Sequence, residues 1–408
     1  MPIEKLLNAL SIEIKELEES GRAKGEEKII TKVKKAEGEK GPRYFLEGFG
    51  DKEFIKMNSN SYLGMSLREE LIKAEEETAR DYGVGPGAVR FISGTYKHHR
   101  ELERKLAEFH GREDCIIFSS AYSTVMGILT PLITGDSIVI SDELNHNCII
   151  NAIRLARPKE KLIYKHLDMI ELENQIKYSR GNAKRLIIVT DGIFSMRGDY
   201  APLDVIMRLA NEYDKDFEEN ILVVVDDSHG VGAFGNTGRG TEEYTGVKVD
   251  ILIGTLGKAF GVNGGYLVGS KTLIRYLREK APFYVYSNPI TPSEAAAALK
   301  AVEILDSEEG RKLLEKLRAL TKRFEKGLKE LGFEIIESDH PIVPLMVRDT
   351  KKTAALVRYL QENGVLVTGL SYPVVPKGDE EIRFQISCDH TEYDIDYVLE
   401  VLRKYGKG

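Results

Sequence analysis

Residues 221–229 of the chain read Ile-Leu-Val-Val-Val-Asp-Asp-Ser-His. Five apolar residues in a row predict a strand that is buried on both faces, as in a parallel sheet covered by helices. Side chains at the carboxyl end of such a strand face the crevice where α/β proteins bind their ligands. We therefore expect Asp226 and His229 to lie beside a ligand.

Similar apolar runs alternate with helical segments from about residue 54 to residue 286. The other runs cover residues 115–118, 137–140, 186–189 and 251–253. This alternation is typical of an α/β fold in which helices cover both faces of a large, mostly parallel sheet.

The chain divides into three expected regions. Residues 1–45 form an N-terminal arm, in which apolar residues recur at helical spacing before a polar stretch. Residues 46–290 form the large domain and residues 291–408 a smaller C-terminal α/β domain, because 408 residues exceed the usual size of a single core. The small domain begins with a long helix, broken near residue 307. Its short strands are expected at residues 334–336, 342–347, 365–368 and 382–387.

The composition excludes several classes of partner. Lys and Arg number 58 against 65 Asp and Glu, and this net charge of −7 gives no reason to expect nucleic acid or an anionic membrane as a partner.

We expect a cytoplasmic protein, because no run approaches about 18 apolar residues and the amino terminus lacks the order of a signal peptide. The three cysteines lack the spacing of a metal site. A charged fraction of 30% favours a thermophilic source.

A lone lysine, Lys258, stands among small and apolar neighbours shortly after the run at residues 251–253. It is either a surface lysine at the tip of a glycine turn or an enclosed amine. Enclosure lowers the pKa of the amine, which makes it fit to form a Schiff base with a carbonyl. Pyridoxal 5'-phosphate needs an acid at its ring nitrogen, a group near its ring oxygen and a lysine for its aldehyde. Asp226, His229 and Lys258 match these three needs.

A glycine-rich run at residues 230–235 satisfies the G-x-G-x-x-G pattern of a dinucleotide site. Such a site should open a helix at once and carry an acid about 20 positions later. These glycines instead continue into Asn-Thr-Gly-Arg-Gly, which is typical of a loop. We therefore expect no NAD site here.

Motifs along nearly the whole chain resemble those of the α-oxoamine synthases, pyridoxal-phosphate enzymes with the fold of aspartate aminotransferase (fold type I). They lie at residues 26–31, 60–64, 89–95, 141–146, 191–196, 226–229, 254–259 and 368–378. The resemblance is strongest to the glycine C-acetyltransferases of that family. It implies an acyltransferase that joins glycine to acetyl-CoA, giving 2-amino-3-oxobutyrate and coenzyme A, as in threonine breakdown. It also implies a homodimer with shared active sites.

Residues 120–124 predict where the cofactor phosphate binds. They offer backbone N–H groups and hydroxyls where a helix starts after a strand, although an ordinary helix cap has the same composition. By resemblance, the backbone of Ala121 and Tyr122 and the hydroxyl of Thr255 bind the phosphate, and Ser287 approaches it from the partner subunit.

The resemblance also implies roles around the cofactor ring. His146 stacks on the ring and can supply a proton, and Ser195 approaches the ring hydroxyl. Lys258 acts as the base that removes a proton from the amino acid, while Asp226 stabilises the protonated ring.

Arg383 interrupts an apolar strand. An arginine there suits recognition of an amino-acid carboxylate, but an outward-facing strand residue has the same pattern. Its match to the carboxylate-binding arginine of the family, with Asn60 as polar partner, favours the first interpretation. Arg90 and His99 also match family positions, but chemistry alone assigns them no role.

The sequence leaves other activities open. The chain departs from typical glycine C-acetyltransferases at residues 123–126 and in a shorter loop at residues 260–265, and both segments are expected near the acyl-CoA. Sibling enzymes are 8-amino-7-oxononanoate synthase, which uses alanine, and long-chain serine acyltransferases like serine palmitoyltransferase. A pyridoxal-phosphate aminotransferase or racemase would share Asp226 and Lys258 but need no coenzyme A.

Overall fold

The computed structural model describes residues 3–20, 22–23, 25–372 and 374–406. Pro373, from the motif at residues 368–378, lies outside the described residues, as do Met1 and Pro2 of the expected arm. The α-helices of the described residues are α1 (Glu4–Glu19), α2 (Glu69–Tyr82), α3 (Lys97–His110), α4 (Ala121–Leu132), α5 (Asn147–Ala156), α6 (Met169–Ser179), α7 (Leu203–Tyr213), α8 (Thr241–Thr245), α9 (Lys271–Lys280), α10 (Pro282–Val285), α11 (Pro292–Leu305), α12 (Glu308–Glu330), α13 (Thr350–Glu362) and α14 (Glu392–Tyr405).

The β-strands of the same residues are short, as is usual for an α/β fold. They are β1 (Ile30–Lys34), β2 (Arg43–Leu46), β3 (Ile55–Lys56), β4 (Asp114–Phe118), β5 (Ser137–Asp142), β6 (Glu160–Tyr164), β7 (Arg185–Asp191), β8 (Ile221–Asp226), β9 (Ile251–Thr255), β10 (Gly265–Gly269), β11 (Ile342–Met346), β12 (Val365–Leu366), β13 (Thr368–Leu370) and β14 (Glu381–Gln385).

The strand expected at residues 221–225 is β8, in the middle of a seven-stranded sheet of order β4-β10-β9-β8-β7-β5-β6. Val223 and Val225 pack into the core on one face of the sheet and Val224 into the core on the other, so the strand is apolar throughout. The strands from β9 to β6 in this order run parallel, whereas β10 runs antiparallel to β4 and β9. The expected α/β fold with a mostly parallel sheet is confirmed.

Two strands of this sheet are not predicted by the sequence. Strand β6 lies at one edge of the sheet and alternates between more and less exposed residues. Strand β10 begins and ends with glycine, a residue that is depleted in strands, and its antiparallel direction departs from the alternation of strand and helix.

The C-terminal part forms an antiparallel three-stranded sheet of order β11-β14-β13. The long helix expected from residue 293 is α11 followed by α12, and the expected break is confirmed between them. The strand expected at residues 334–336 is wrong, because Ile335 forms only an isolated bridge to Leu345. Residues 365–368 divide between β12, which pairs with β3, and β13, which pairs with β14. The division of the chain at residues 45 and 290 stays a prediction.

Helix α1 forms over the apolar residues expected to be helical, and all of its residues are exposed. The end of the arm is anchored, because Arg43 Nη2 lies 2.5 Å from Asp394 Oδ1 in a buried ion pair with helix α14. Among the described residues, no helix has both the length and the apolar character that crossing a membrane requires. The cytoplasmic location expected from the sequence stays a prediction.

Candidate active site

A cavity with about 350 Å³ of empty space opens where the central strands β7 and β8 end. Most of the residues predicted for the cofactor ring line it. Its lining consists of Ala121, Tyr122, His146, Cys148, Asp191, Ile193, Ser195, Asp226, Ser228, His229 and Lys258. The structure therefore brings together side chains that lie more than 130 positions apart in the chain.

Two carboxylates, Asp226 and Asp191, stand side by side at the ends of β8 and β7, where they are paired in the sheet register. Asp226 Oδ1 accepts hydrogen bonds from the backbone N–H and the hydroxyl of Ser228, at 3.1 and 2.5 Å. Among the described residues, its Oδ2 receives only a long contact of 3.7 Å from the Cys148 thiol. Burial and the charge of Asp226 raise the pKa of Asp191 well above its ordinary value.

His229 is held by a buried hydrogen bond of 2.7 Å between its Nδ1 and the hydroxyl of Tyr62. Its backbone carbonyl accepts a hydrogen bond of 2.9 Å from His340 Nε2. Burial lowers the pKa of His229 well below its usual range, so the ring is neutral. When the Tyr62 hydroxyl donates to Nδ1, the ring hydrogen of His229 stays on Nε2.

Lys258 is partly buried and lines the cavity, so the enclosed amine considered from the sequence is the observed state. Burial lowers its pKa to about 8, although Asp226 and Asp191 act in the opposite direction. The Nζ atom makes no hydrogen bond or ion pair with any residue that the structure describes. The lysine loop packs closely on the glycine-rich loop, since a Cβ at Gly232 would lie 2.5 Å from Ala259 Cβ.

Helix α4 points its N-terminus at the cavity. Its N-cap residue, Ser120, accepts a hydrogen bond of 3.1 Å from Ser123 N, so the helix cap considered from the sequence is present. The N–H groups of Ala121 and Tyr122 precede the first intrahelical bonds and stay available to an anion. Thr255 lies close by, because it pairs with Gly265, whose Cβ would lie 2.5 Å from Ala121 N.

His146 caps helix α5 at the mouth of the cavity. Its Nδ1 accepts a hydrogen bond of 3.3 Å from Cys148 N, and its backbone N–H donates to Asp191 Oδ2 at 3.1 Å. Burial lowers the pKa of His146, and Lys258 acts in the same direction. The neutral ring therefore carries its hydrogen on Nε2.

Arg383 lies on β14 and is buried, so the outward-facing alternative is wrong. Its Nε donates to the backbone carbonyl of Ser195 at 2.6 Å, and its Nη2 lies 3.4 Å from Asn60 Oδ1. Asn60 Oδ1 also accepts a hydrogen bond of 2.5 Å from Gln385 Nε2. Asn60, Ser195 and Arg383 thus form one hydrogen-bonded group beside the cavity.

Ser287 is not brought to the cavity of its own chain. Its hydroxyl lies 3.5 Å from the carbonyl of the next residue, Asn288, and Ser287 is half-buried. Arg90 and His99 are buried: Arg90 Nη2 lies 3.2 Å from Glu103 Oε1, and His99 Nε2 lies 2.8 Å from the carbonyl oxygen of Ile290.

The glycine-rich run at residues 230–235 forms a loop. Bridges such as Val231 to Arg239 close it, and the next helix, α8, begins only at Thr241. Its backbone turns tightly about a buried acid, because a Cβ at Gly230 would lie 2.1 Å from Asp227 Oδ1. The run therefore lacks the immediate helix of a dinucleotide site.

Sequence reasoning assigns no role to Asp191, Cys148, Ser228 or Tyr62. Asp191 carries the strongest signal, because it is an acid that lies two positions after the apolar run at residues 186–189. The contribution of Tyr62 comes from a contact across 167 positions, and no local pattern reveals it.

The residues present fit pyridoxal phosphate. Asp226 Oδ2 is free to accept from a protonated ring nitrogen, and Lys258 Nζ is free to bond an aldehyde. The N-terminus of α4, whose Ala121 and Tyr122 line the same cavity, offers N–H donors beside the Thr255 hydroxyl. These groups therefore suit a ring that carries a protonated nitrogen at one end and a phosphate at the other.

Residues 52–402 match the family described as aminotransferase class I and II. The 8-amino-7-oxononanoate synthase of Petrotoga mobilis is 41% identical over 399 residues, which cover 97% of each chain. The mitochondrial 2-amino-3-ketobutyrate coenzyme A ligase of Bos taurus is 39% identical over 406 residues, covering 99% of this chain and 93% of that protein. A structure of serine palmitoyltransferase from S. paucimobilis, with PLP and myriocin bound, has a TM-score of 0.88 at 26% identity, covering 99% of this chain and 98% of that one.

The fold and the family match define a fold-type I transferase that depends on pyridoxal phosphate. Within that class, the chain belongs to the α-oxoamine synthases, the acyltransferases that act on amino acids and acyl-CoA. The family, the fold type and the cofactor that the sequence motifs imply are thereby confirmed.

Proposed function

We propose that this enzyme condenses glycine with acetyl-CoA to give 2-amino-3-oxobutyrate and coenzyme A. The observation that carries the proposal is the grouping of Lys258, an amine of lowered pKa, with a buried carboxylate receptor at Arg383. An amino acid held by its carboxylate at Arg383 would present its Cα to the cavity of Lys258. Likeness over almost the full length of the Bos taurus ligase supports glycine and acetyl-CoA as the substrates.

The cavity residues would hold the cofactor in one orientation. Asp226 would accept a hydrogen bond from the ring nitrogen, and His229 would donate from Nε2 to the ring oxygen, together with Ser195. The Ala121 and Tyr122 N–H groups and the Thr255 hydroxyl would bind the phosphate, with Ser287 of a second copy beside them. His146 would cover the ring.

The protons of the reaction would be carried by two side chains. Bound pyridoxal phosphate supplies an electron sink for the bond that breaks at the substrate Cα. Lys258 Nζ takes the proton from that Cα, because a pKa of about 8 leaves about a tenth of the amine neutral at pH 7, far more than for an ordinary lysine. His146 delivers a proton from Nε2 to the sulfur of the departing coenzyme A. Arg383 keeps the substrate carboxylate in place throughout.

A second candidate is the reaction of 8-amino-7-oxononanoate synthase, which the 41% identity to the Petrotoga mobilis enzyme favours. That nine-carbon product contains two carbons from alanine and seven from a dicarboxylic acyl group, so the alanine carboxylate leaves as CO₂. Glycine and acetyl-CoA together supply all four carbons of 2-amino-3-oxobutyrate, so the condensation itself releases no CO₂, although this β-keto acid loses CO₂ afterwards in solution. The two candidates therefore differ in a measurable product.

The active site would be completed by a second copy of the chain. Phe91, Ile92 and Tyr286 are large apolar residues whose side chains are 65%, 64% and 81% exposed. They form an apolar patch next to Ser287, because the turn that bears Phe91 and Ile92 contacts helix α10, which ends beside Tyr286. Exposed apolar area of this kind is typical of an interface. A homodimer would cover the patch and bring Ser287 to the phosphate of the other copy.

The experiment is a matrix of glycine, alanine and serine against acetyl-CoA, a seven-carbon dicarboxylic acyl-CoA and palmitoyl-CoA. Thiol release and CO₂ release are both measured. The proposal predicts the highest kcat/KM for glycine with acetyl-CoA, and by mass spectrometry a product of four carbons, or of three once the β-keto acid has lost CO₂ in solution. Faster thiol release from alanine and the seven-carbon substrate, with one CO₂ per thiol, would establish the second candidate instead. Conversion of amino acids without thiol release would indicate an aminotransferase or racemase.

A further inference from the structure

His166 lies outside the cavity, on the loop that joins β6 to α6, and both of its ring nitrogens face carboxylates. Nδ1 lies 3.1 Å from Asp142 Oδ1, and Nε2 lies 3.1 Å from Asp199 Oδ2. A neutral imidazole has a single N–H, so it can donate to only one of the two carboxylates. The geometry is that of a doubly donating imidazolium ion.

One end of this bridge is rigid. Asp142 ends strand β5 and is buried. Its carboxylate also accepts hydrogen bonds from the backbone N–H groups of Leu144 and Leu167, at 2.9 and 3.0 Å. Leu167 has a φ of 58°, a conformation that a leucine rarely adopts. The carboxylate therefore holds the loop at His166 in a conformation that it would not adopt alone.

The other end of the bridge is the loop at residues 192–202, which carries Ser195 into the cavity. Asp199 closes this loop, because its carbonyl accepts a hydrogen bond of 3.0 Å from Phe194 N and its carboxylate accepts one of 2.9 Å from Arg197 Nε. The His166 ring packs edge-on against Phe194, with centroids 4.4 Å apart. His166 thus contacts both the residue before Ser195 and the acid that closes the loop.

We propose that His166, bridging Asp142 and Asp199, is a positioning residue that fixes the loop at residues 192–202 and thereby places Ser195 at the cofactor. The proposal rests on the role given to Ser195 under the proposed function. Arg383 also holds this loop, through the Ser195 carbonyl. The loop is therefore held by two cations, the imidazolium of His166 and the guanidinium of Arg383.

Both acidic and basic groups surround His166. Glu143 Oε1 accepts from its backbone N–H at 2.8 Å, and Lys165 and Asp168 flank it on its own loop. Beyond Asp199 lie Arg197 and the buried Glu381 of β14. Burial lowers the pKa of His166, but the hydrogen bonds to Asp142 and Asp199 outweigh burial and raise the pKa to about 9.

The direction of the pH dependence follows from this raised pKa. Because the value in the folded protein lies above the ordinary 6.5, the bridge stabilises the loop fully below about pH 6.5. That stabilisation is lost as the pH rises through about 9. The loop should therefore loosen in alkaline solution.

The test uses a fluorescent reporter in the loop, which is possible because the chain contains no tryptophan. Tyr200→Trp, at an exposed position beside Asp199, is combined with His166→Gln, with Asp199→Asn, or with the matched control His98→Gln. Emission and anisotropy are followed from pH 6 to 10.5 in the protein without cofactor, and the affinity for pyridoxal phosphate is titrated at pH 7. Circular dichroism checks that each variant is folded.

The reporter protein should lose anisotropy in a transition near pH 9, and the His98→Gln control should do the same. His166→Gln and Asp199→Asn should be loose already at pH 7, lack the transition, and bind pyridoxal phosphate about tenfold more weakly. A transition that persists in His166→Gln, or unchanged anisotropy and affinity in both variants, would overturn the proposal. If His166→Gln does not fold, the presence or absence of the transition in the reporter protein alone decides. These readouts need no substrate, so they stand apart from the outcome of the substrate matrix.

Discussion

At the scale of single residues, the sequence predicts a site residue best where a charged side chain follows or stands among apolar residues and glycines. Lys258 stands alone among glycines and apolar residues, and Asp226 directly follows an apolar strand. Both patterns predict placement at the crevice, where the structure has these residues. Tyr62 could not be assigned in this way, because its role depends on a contact distant in sequence, and the pairing of Asp191 with Asp226 depends on strand register.

Replacement of Asp191 by Asn tests the electrostatics of the paired carboxylates. The pKa of Asp191 is raised in the folded protein, so its ionisation destabilises the fold as the pH rises above about 4. Asn keeps the shape of the side chain but carries no charge. We expect Asp191→Asn to be more stable than the unmodified protein at pH 8 by on the order of 1 kcal/mol, and the difference to shrink towards pH 5.

The measurement is thermal unfolding without cofactor at several pH values. Asp51→Asn is the matched control, since Asp51 is exposed, and it should show no pH-dependent difference. A loss of stability in Asp191→Asn that is equal at pH 5 and pH 8 would refute the explanation.

At the scale of secondary-structure elements, the apolar runs predict five strands of the central sheet because burial on both faces demands a continuous apolar sequence. This signal is absent from β6, which lies at the edge, and from β10, where glycines permit close approach of a helix. The strand expected at residues 334–336 has the right composition but forms only an isolated bridge. Whether such a segment forms a strand therefore depends on the strands it can pair with, and not on its composition alone.

Strand β10 offers a test of the phosphate-binding role of helix α4. A Cβ at Gly265 would lie 2.5 Å from both Ala121 N and Thr124 Oγ1, so Gly265→Ala must displace the start of the helix. We expect the affinity for pyridoxal phosphate to fall at least about tenfold. The free energy of unfolding should fall by about 1–3 kcal/mol.

Gly269→Ala is the matched control at the other end of the same strand. Its Cβ would meet a flexible leucine side chain at 3.2 Å, far from the helix start. Cofactor titration and chemical unfolding are measured for both variants. Equal cofactor affinity in the two would argue against phosphate binding at α4.

At the scale of the whole molecule, the sequence predicts the α/β architecture and the family, whereas the assembly depends on surfaces that sequence patterns do not reveal. Ser287 has no place in the cavity of its own chain, and the patch of Phe91, Ile92 and Tyr286 is exposed beside it. Both observations support the proposed homodimer.

Phe91→Asp should break this dimer, because a charge would be placed in an apolar interface. We expect a monomer by light scattering, with thiol release reduced at least about tenfold and the fold retained by circular dichroism. Val84→Asp is the control, an exposed apolar residue outside the patch. A Phe91→Asp monomer with full activity would show that each chain is complete by itself.

The proposed function depends most on Lys258 as the residue that bonds the cofactor. The direct measurement is reduction of the loaded enzyme with borohydride, digestion, and mass spectrometry of the peptides. We predict a pyridoxyl phosphate group on Lys258, and loss of both this label and thiol release in Lys258→Ala, with Lys280→Ala unchanged as the exposed control. Labelling of another lysine, or full turnover in Lys258→Ala, would contradict the account.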